Sequence, residues 1–159
     1  MARWAVLGSA VALQVATPVA TWWLAGDLST VPASSDPDYA FRPWLISPAA
    51  TRAAGIGSLT IAATAIALLG WATLRRLMDV RWWAALVPLM AAGFIAGAGW
   101  RVMTAGVIGA NIGAGFVVLL GGPIVLGLLI WALGFSVHLL RAHGVRTPAA
   151  NSKTKSQWD

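Results

Sequence analysis

The sequence has no cysteine and no glutamate, and charged residues of every kind make up only 10% of it. Without cysteine, disulfides, thiolate catalysis, iron–sulfur clusters and Cys-ligated zinc are excluded. The acids are five aspartates (Asp27, Asp36, Asp38, Asp79 and Asp159), and the imidazoles are His138 and His143. Proton relays and ion-coupling sites inside a membrane rest on ionisable groups within a span, and almost none lies within the apolar runs here. The inventory offers no catalytic set, no metal-ligand set and no cofactor motif. Asp36-Pro37-Asp38 has the form of a D-x-D metal motif, but no further acids complete an oxygen shell, and Asp with Pro reads as a turn. His138, with Ser136 nearby, has no second ligand in the spans and reads as an interfacial hydrogen-bonding residue.

What the sequence does have is apolar length. Of 159 residues, 58% are hydrophobic and the mean hydropathy is +0.75, whereas a soluble domain is about 45–50% apolar and about 25% charged. A disordered chain would have low hydrophobicity and high charge. The expected class is therefore an all-α, polytopic membrane protein. Eleven basic residues, nine of them arginine, give a net charge of +6. These flank apolar runs, so they read as topology signals and no nucleic-acid partner is expected.

A span needs about 20 apolar residues. The runs predict spans over about 4–25, 53–74, 82–100 and 113–140, with an extracytoplasmic loop over 26–51. Residues 1–140 then form a four-helix transmembrane domain, and 141–159 a basic, disordered cytoplasmic tail. The uncharged stretch 102–140 is too long for one crossing. Either the Gly-rich stretch 104–115 is a turn or partly re-entrant entry, or Gly121-Gly122-Pro123 is a turn and there are five spans. Four spans put Arg3, Arg75, Arg76, Arg81, Arg141, Arg146, Lys153 and Lys155 on one side, leaving Arg42, Arg52 and Arg101 beside Asp27, Asp36 and Asp38. The positive-inside rule then favours four spans with both termini cytoplasmic. Tryptophans agree: Trp4 and Trp22/Trp23 lie about 27–28 Å apart along a helix, a spacing suited to the two interfaces. The first run exceeds a signal-peptide core and ends in Trp22-Trp23, so cleavage is not expected.

Small residues are candidates for helix packing: Gly8, Ala12 and Ala16 on the first span, Gly93 and Gly97 on the third, and Gly109 with Gly113. Pro18 and Pro88 each interrupt a helical ladder. Gln14 and Asn111 are candidate members of a polar path or an interhelical contact. Tyr39, Phe41 and Trp44, set among prolines in the long loop, are candidate partner-contact residues.

The expected function is that of a non-enzymatic accessory or assembly subunit of a membrane complex, in contact with the lipid bilayer and with other membrane proteins or further copies of itself. The alternative is a small oligomeric transporter or channel using Gln14, Asn111 and the Gly-rich segment 104–115. The preference for Arg over Lys and the Ala/Gly/Val richness resemble bacterial plasma-membrane proteins.

Overall fold

The computed structural model describes residues 2–30, 39–44 and 46–144. All regular structure in them is helical: α1 (Ala2–Leu24), α2 (Pro48–Leu74), α3 (Trp83–Met103), α4 (Ala110–Phe116) and α5 (Gly122–Gly144). A 3-10 turn, Val80–Trp82, leads into α3, and a wide π turn, Val117–Gly121, joins α4 to α5. Four units are long and apolar enough to cross a membrane, the fourth being α4 and α5 run together. The expected all-α architecture with four such helices therefore stands.

The boundaries follow local chemistry. The second helix begins at Pro48, five residues before the expected 53. Arg52 ends the apolar run but not the helix, because the start signal lies earlier. The Ser47 hydroxyl accepts a hydrogen bond from the Ala50 N–H at 3.2 Å, and Pro48 supplies a first-turn residue that needs no donor. At the other end Arg76 has a left-handed φ of 57°. The Arg76 N–H donates to the Thr73 carbonyl and the Leu77 N–H to the Ala72 carbonyl, which is a Schellman stop with arginine in the usual glycine position. Arg76→Gly is expected to raise thermal stability in detergent by about 1 kcal/mol, because the Cβ strain of that backbone is removed.

The third helix runs past Arg101 to Met103, and Thr104 ends it by donating its hydroxyl to the Trp100 carbonyl at 2.9 Å. Residues 104–109 form a short connection, closed by Gly109 at a left-handed φ of 75°. The Gly-rich segment 104–115 is thus divided between this connection and the first turns of α4. No turn occurs at Gly121-Gly122-Pro123. Pro123 has no N–H to continue the ladder, and the strain is absorbed one turn earlier, where the Gly122 N–H reaches back five residues to the Val117 carbonyl. The helix continues to Gly144, and the remainder of the expected tail lies outside the described residues.

Packing contacts set the helix directions. Gln14, Pro18 and Gly26 meet Leu86, Gly97 and Arg101 respectively, so α1 and α3 run parallel. The Trp23 ring covers Gly55 at the start of α2, so α1 and α2 are antiparallel. Val117 and Gly121 meet Gly99 and Ile95, so the α4–α5 unit runs back along α3. Two ends result. The basic end gathers the α2–α3 turn with Arg75, Arg76 and Arg81, together with the start of α1 and the end of α5. The loop end gathers residues 24–30, 39–44, 46–48 and 103–110. α1 packs on both α2 and α3, while α5 packs chiefly on α3.

Small buried residues such as Ala20, Ala105 and Ala114 extend to the loop end, but the large buried side chains are unevenly spread along the bundle. Leu13, Ala65, Leu69, Ala72, Met78 and Leu86 form one buried cluster, with Leu13 and Leu69 fully buried. Around it, the Trp83 indole N–H donates to the Thr73 hydroxyl at 3.0 Å. These residues occupy the middle and the basic-end half of α1, α2 and α3. Toward the loop end the three helices leave an open space.

Candidate functional site

That space is a cleft of about 720 Å³ between the end of α1, the start of α2 and the end of α3. Its apolar floor includes Pro18, Val19, Ala96 and Gly97, its rim carries Trp22, Trp23, Trp44 and Trp100, and it holds two arginines, Arg52 and Arg101. Gly97 is essential to the shape. A Cβ there would strike the Pro18 carbonyl, so glycine brings α1 onto α3 at the base of the cleft. Gly93, one turn earlier, lies against the Pro18 ring at 3.2 Å and Thr17 at 3.4 Å from its Cβ position.

The two arginines are held differently. Arg101 is fixed: its Nε–H donates to the Gly26 carbonyl, and its guanidinium lies over the Trp22 ring at 5.3 Å. Arg52, on the second turn of α2, is exposed and makes no hydrogen bond or ion pair among the described residues. Asp27 stands nearby beyond α1. Its carboxylate accepts from the Ser29 backbone N–H at 3.0 Å. This bond, with that from the Ser29 side chain and the Arg101 charge, holds its pKa below the ordinary 3.8 despite some desolvation.

The described loop residues at this end are tied to the α3–α4 connection. The Thr30 N–H donates to the Gly106 carbonyl at 3.2 Å, the Gly106 N–H to the Ser29 hydroxyl at 3.0 Å, and the Phe41 N–H to the Met103 carbonyl at 3.1 Å. Phe41 stacks on Trp100 at 6.1 Å between ring centroids, and Trp44 tilts against the same indole at 6.4 Å. Of the three loop aromatics singled out from the sequence, Phe41 and Trp44 thus meet the bundle's own Trp100 while keeping much of their surface exposed. Tyr39 is half-buried.

The other sequence candidates fall elsewhere. The Gln14 amide donates to the Leu86 carbonyl at 3.4 Å in the basic-end half. Asn111 is exposed on the first turn of α4 at the loop end. The two are not brought together: Leu86 and Arg101 alone are fifteen residues apart on α3, about 22 Å. Thr17 and Thr21 each donate back to the carbonyl four residues earlier, which satisfies them within α1. Among the small residues, Ala16 is buried and Ala12 half-buried, but nothing lies within 4 Å of a Cβ built on Gly8. Gly113 faces Val102 at 3.3 Å, whereas Gly109 serves the left-handed cap of α4 rather than a helix face. His138 is exposed, with its ring 6.3 Å from that of Phe135. Trp131 is exposed on α5. Asp36 and Asp38 lie outside the described residues.

Sequence reasoning missed the cleft. It read Trp22 and Trp23 only as interface anchors and Arg52 and Arg101 only as minority charges. A signal was present, however: three arginines at the end where the positive-inside rule predicts few. Compared with protein-family models, with curated proteins and with solved structures, the chain matches none.

Proposed function

We propose that this chain is a multi-pass protein of a cell membrane, with its basic end and both termini on the cytoplasmic side, acting as a non-enzymatic accessory or assembly subunit of a larger membrane complex. A bacterial plasma membrane is the location that its composition suggests. The observation that carries the subunit reading is the one-sided packing of the α4–α5 unit. It leans on α3 and turns the rest of its circumference outward, with Leu119, Trp131 and Leu133 all more than 60% exposed. Gly127 and Gly134 are exposed on the same outward face two turns apart, with nothing within 4 Å of a Cβ built on either. In lipid, helices associate through close approach at small residues rather than through hydrophobic burial, so such a face suits a second helix.

The residue inventory supports a role without catalysis, since cysteine and glutamate are absent and histidine occurs twice. The transporter alternative gains no shared surface within one chain, because Gln14 and Asn111 lie in different halves of the bundle. The test is the composition of the tagged chain drawn from its native membrane in mild detergent. Stoichiometric company of other membrane proteins is expected, and it should fall at least about tenfold in Gly127→Leu/Gly134→Leu, since close approach of the helices is lost. A clean monomer or homo-oligomer would overturn the subunit reading and return the weight to transport.

A further inference from the structure

We infer that the cleft at the loop end binds one anionic phospholipid, its phosphate held by Arg52 and Arg101, its glycerol region among the tryptophans, and an acyl chain along the Pro18–Gly97 floor. Three features of the cleft select this occupant together. The first is charge. Arg52 is unpartnered among the described residues and stands near the positive end of the α2 dipole. Arg101 is pinned through Nε and Trp22, while its terminal nitrogens make no hydrogen bond among the described residues. A guanidinium held in that way is pre-organised for the forked recognition of phosphate.

The second feature is the rim. Indole rings favour the headgroup level of a bilayer, where one part of the ring is wet and the rest apolar, and four of them surround this cleft. A free inorganic anion would use the arginines and leave the indoles and the apolar floor without a role. The third is depth. The cleft volume lies within the ~300–1,000 Å³ typical of small-molecule sites, and none of its lining residues belongs to the buried cluster around Leu13 and Leu69. A lipid can thus be seated without a path through the bundle. Among the described residues, the carboxylate that acts on Arg101 is Asp27, which is engaged with Ser29. The inference needs only that the chain resides in a bilayer, so failure of the subunit reading would leave it standing.

The test uses the full chain purified in a neutral maltoside detergent and offered equal amounts of phosphatidylglycerol and phosphatidylcholine, with retained lipid counted by native mass spectrometry. One phosphatidylglycerol per chain is expected, favoured at least about tenfold, since charge-assisted hydrogen bonds distinguish the site from bulk lipid. Arg52→Gln should lower that retention about five- to tenfold, and Arg52→Lys should restore part of it. Arg52 is the deciding position because it is exposed and its side chain makes no hydrogen bond or ion pair among the described residues, whereas Arg101→Gln also releases Gly26. Arg76→Gln, at the opposite end, should leave the tight site intact. Equal retention of both lipids, or an unchanged Arg52→Gln, overturns the inference. So does displacement by millimolar inorganic phosphate, which would make the occupant a free anion, and so does loss in Arg76→Gln alone.

Discussion

Gly97→Val is expected to be the most damaging single substitution in the bundle, lowering unfolding free energy in detergent by about 3 kcal/mol, at the top of the overpacking range. The reason is what stands opposite. A Cβ at position 97 would meet the Pro18 carbonyl and Cα, and a helix backbone cannot step aside as a flexible side chain can. α1 and α3 would have to separate, opening the base of the cleft and loosening the Gln14–Leu86 and Arg101–Gly26 contacts on either side. Two controls fix the interpretation. Gly93→Ala presses on the Pro18 ring and the Thr17 methyl at 3.2–3.4 Å, groups able to shift slightly, so about 1 kcal/mol is expected. Gly8→Ala has nothing within 4 Å and should be neutral or stabilising by about 0.5–1 kcal/mol, through helix propensity. Equilibrium unfolding by a denaturing detergent reads all three. If Gly97→Val proved as mild as Gly8→Ala, the close crossing of α1 on α3 would be wrong.

The second large effect is expected from two adjacent leucines. Leu69 is fully buried in the cluster with Leu13, Ala65, Ala72, Met78 and Leu86, while Leu68 beside it is about half exposed. Leu69→Ala should cost about 2–3 kcal/mol, the lower part of the range for buried leucine in soluble cores. The reduction arises because a chain unfolded in an apolar medium still keeps its leucine out of water, so the loss is chiefly one of packing contacts. Leu68→Ala should change stability by less than about 0.5 kcal/mol. The same unfolding assay separates them. Reversal of the two values would mean that α2 is rotated by about 100°.

Some of this organisation was legible before the fold was known. The number and type of helices followed from run length and from breaks at charges, prolines and glycines, all of which act locally. Boundaries were less legible. The apolar run places the start of α2 at its first residue, 53, but Ser47 and Pro48 carry the start signal, and a helix tolerates an arginine in its second turn. The small-residue pattern was legible as a set and not by role. Gly97, Gly109 and Gly8 look alike in the sequence, yet one admits a neighbouring backbone, one takes a left-handed cap and one faces outward. The candidate site was the least legible part. Trp22, Trp23, Trp44, Trp100, Arg52 and Arg101 span about eighty residues of sequence, and no local spacing links them.

By itself, then, the sequence determined an all-helical chain with four helices long and apolar enough to cross a membrane, because backbone satisfaction and apolar length are properties of each segment alone. Only the tertiary structure decided which faces meet, that the buried leucines gather in the middle and basic-end half, and that Arg52 and Arg101 share a tryptophan-rimmed cleft. The physical reason is that these helices are apolar nearly all round, so no polar–apolar periodicity marks the face that packs. The choice is left to shape, and shape is decided where Gly97 lets Pro18 approach and Gly55 lets Trp23 lie down.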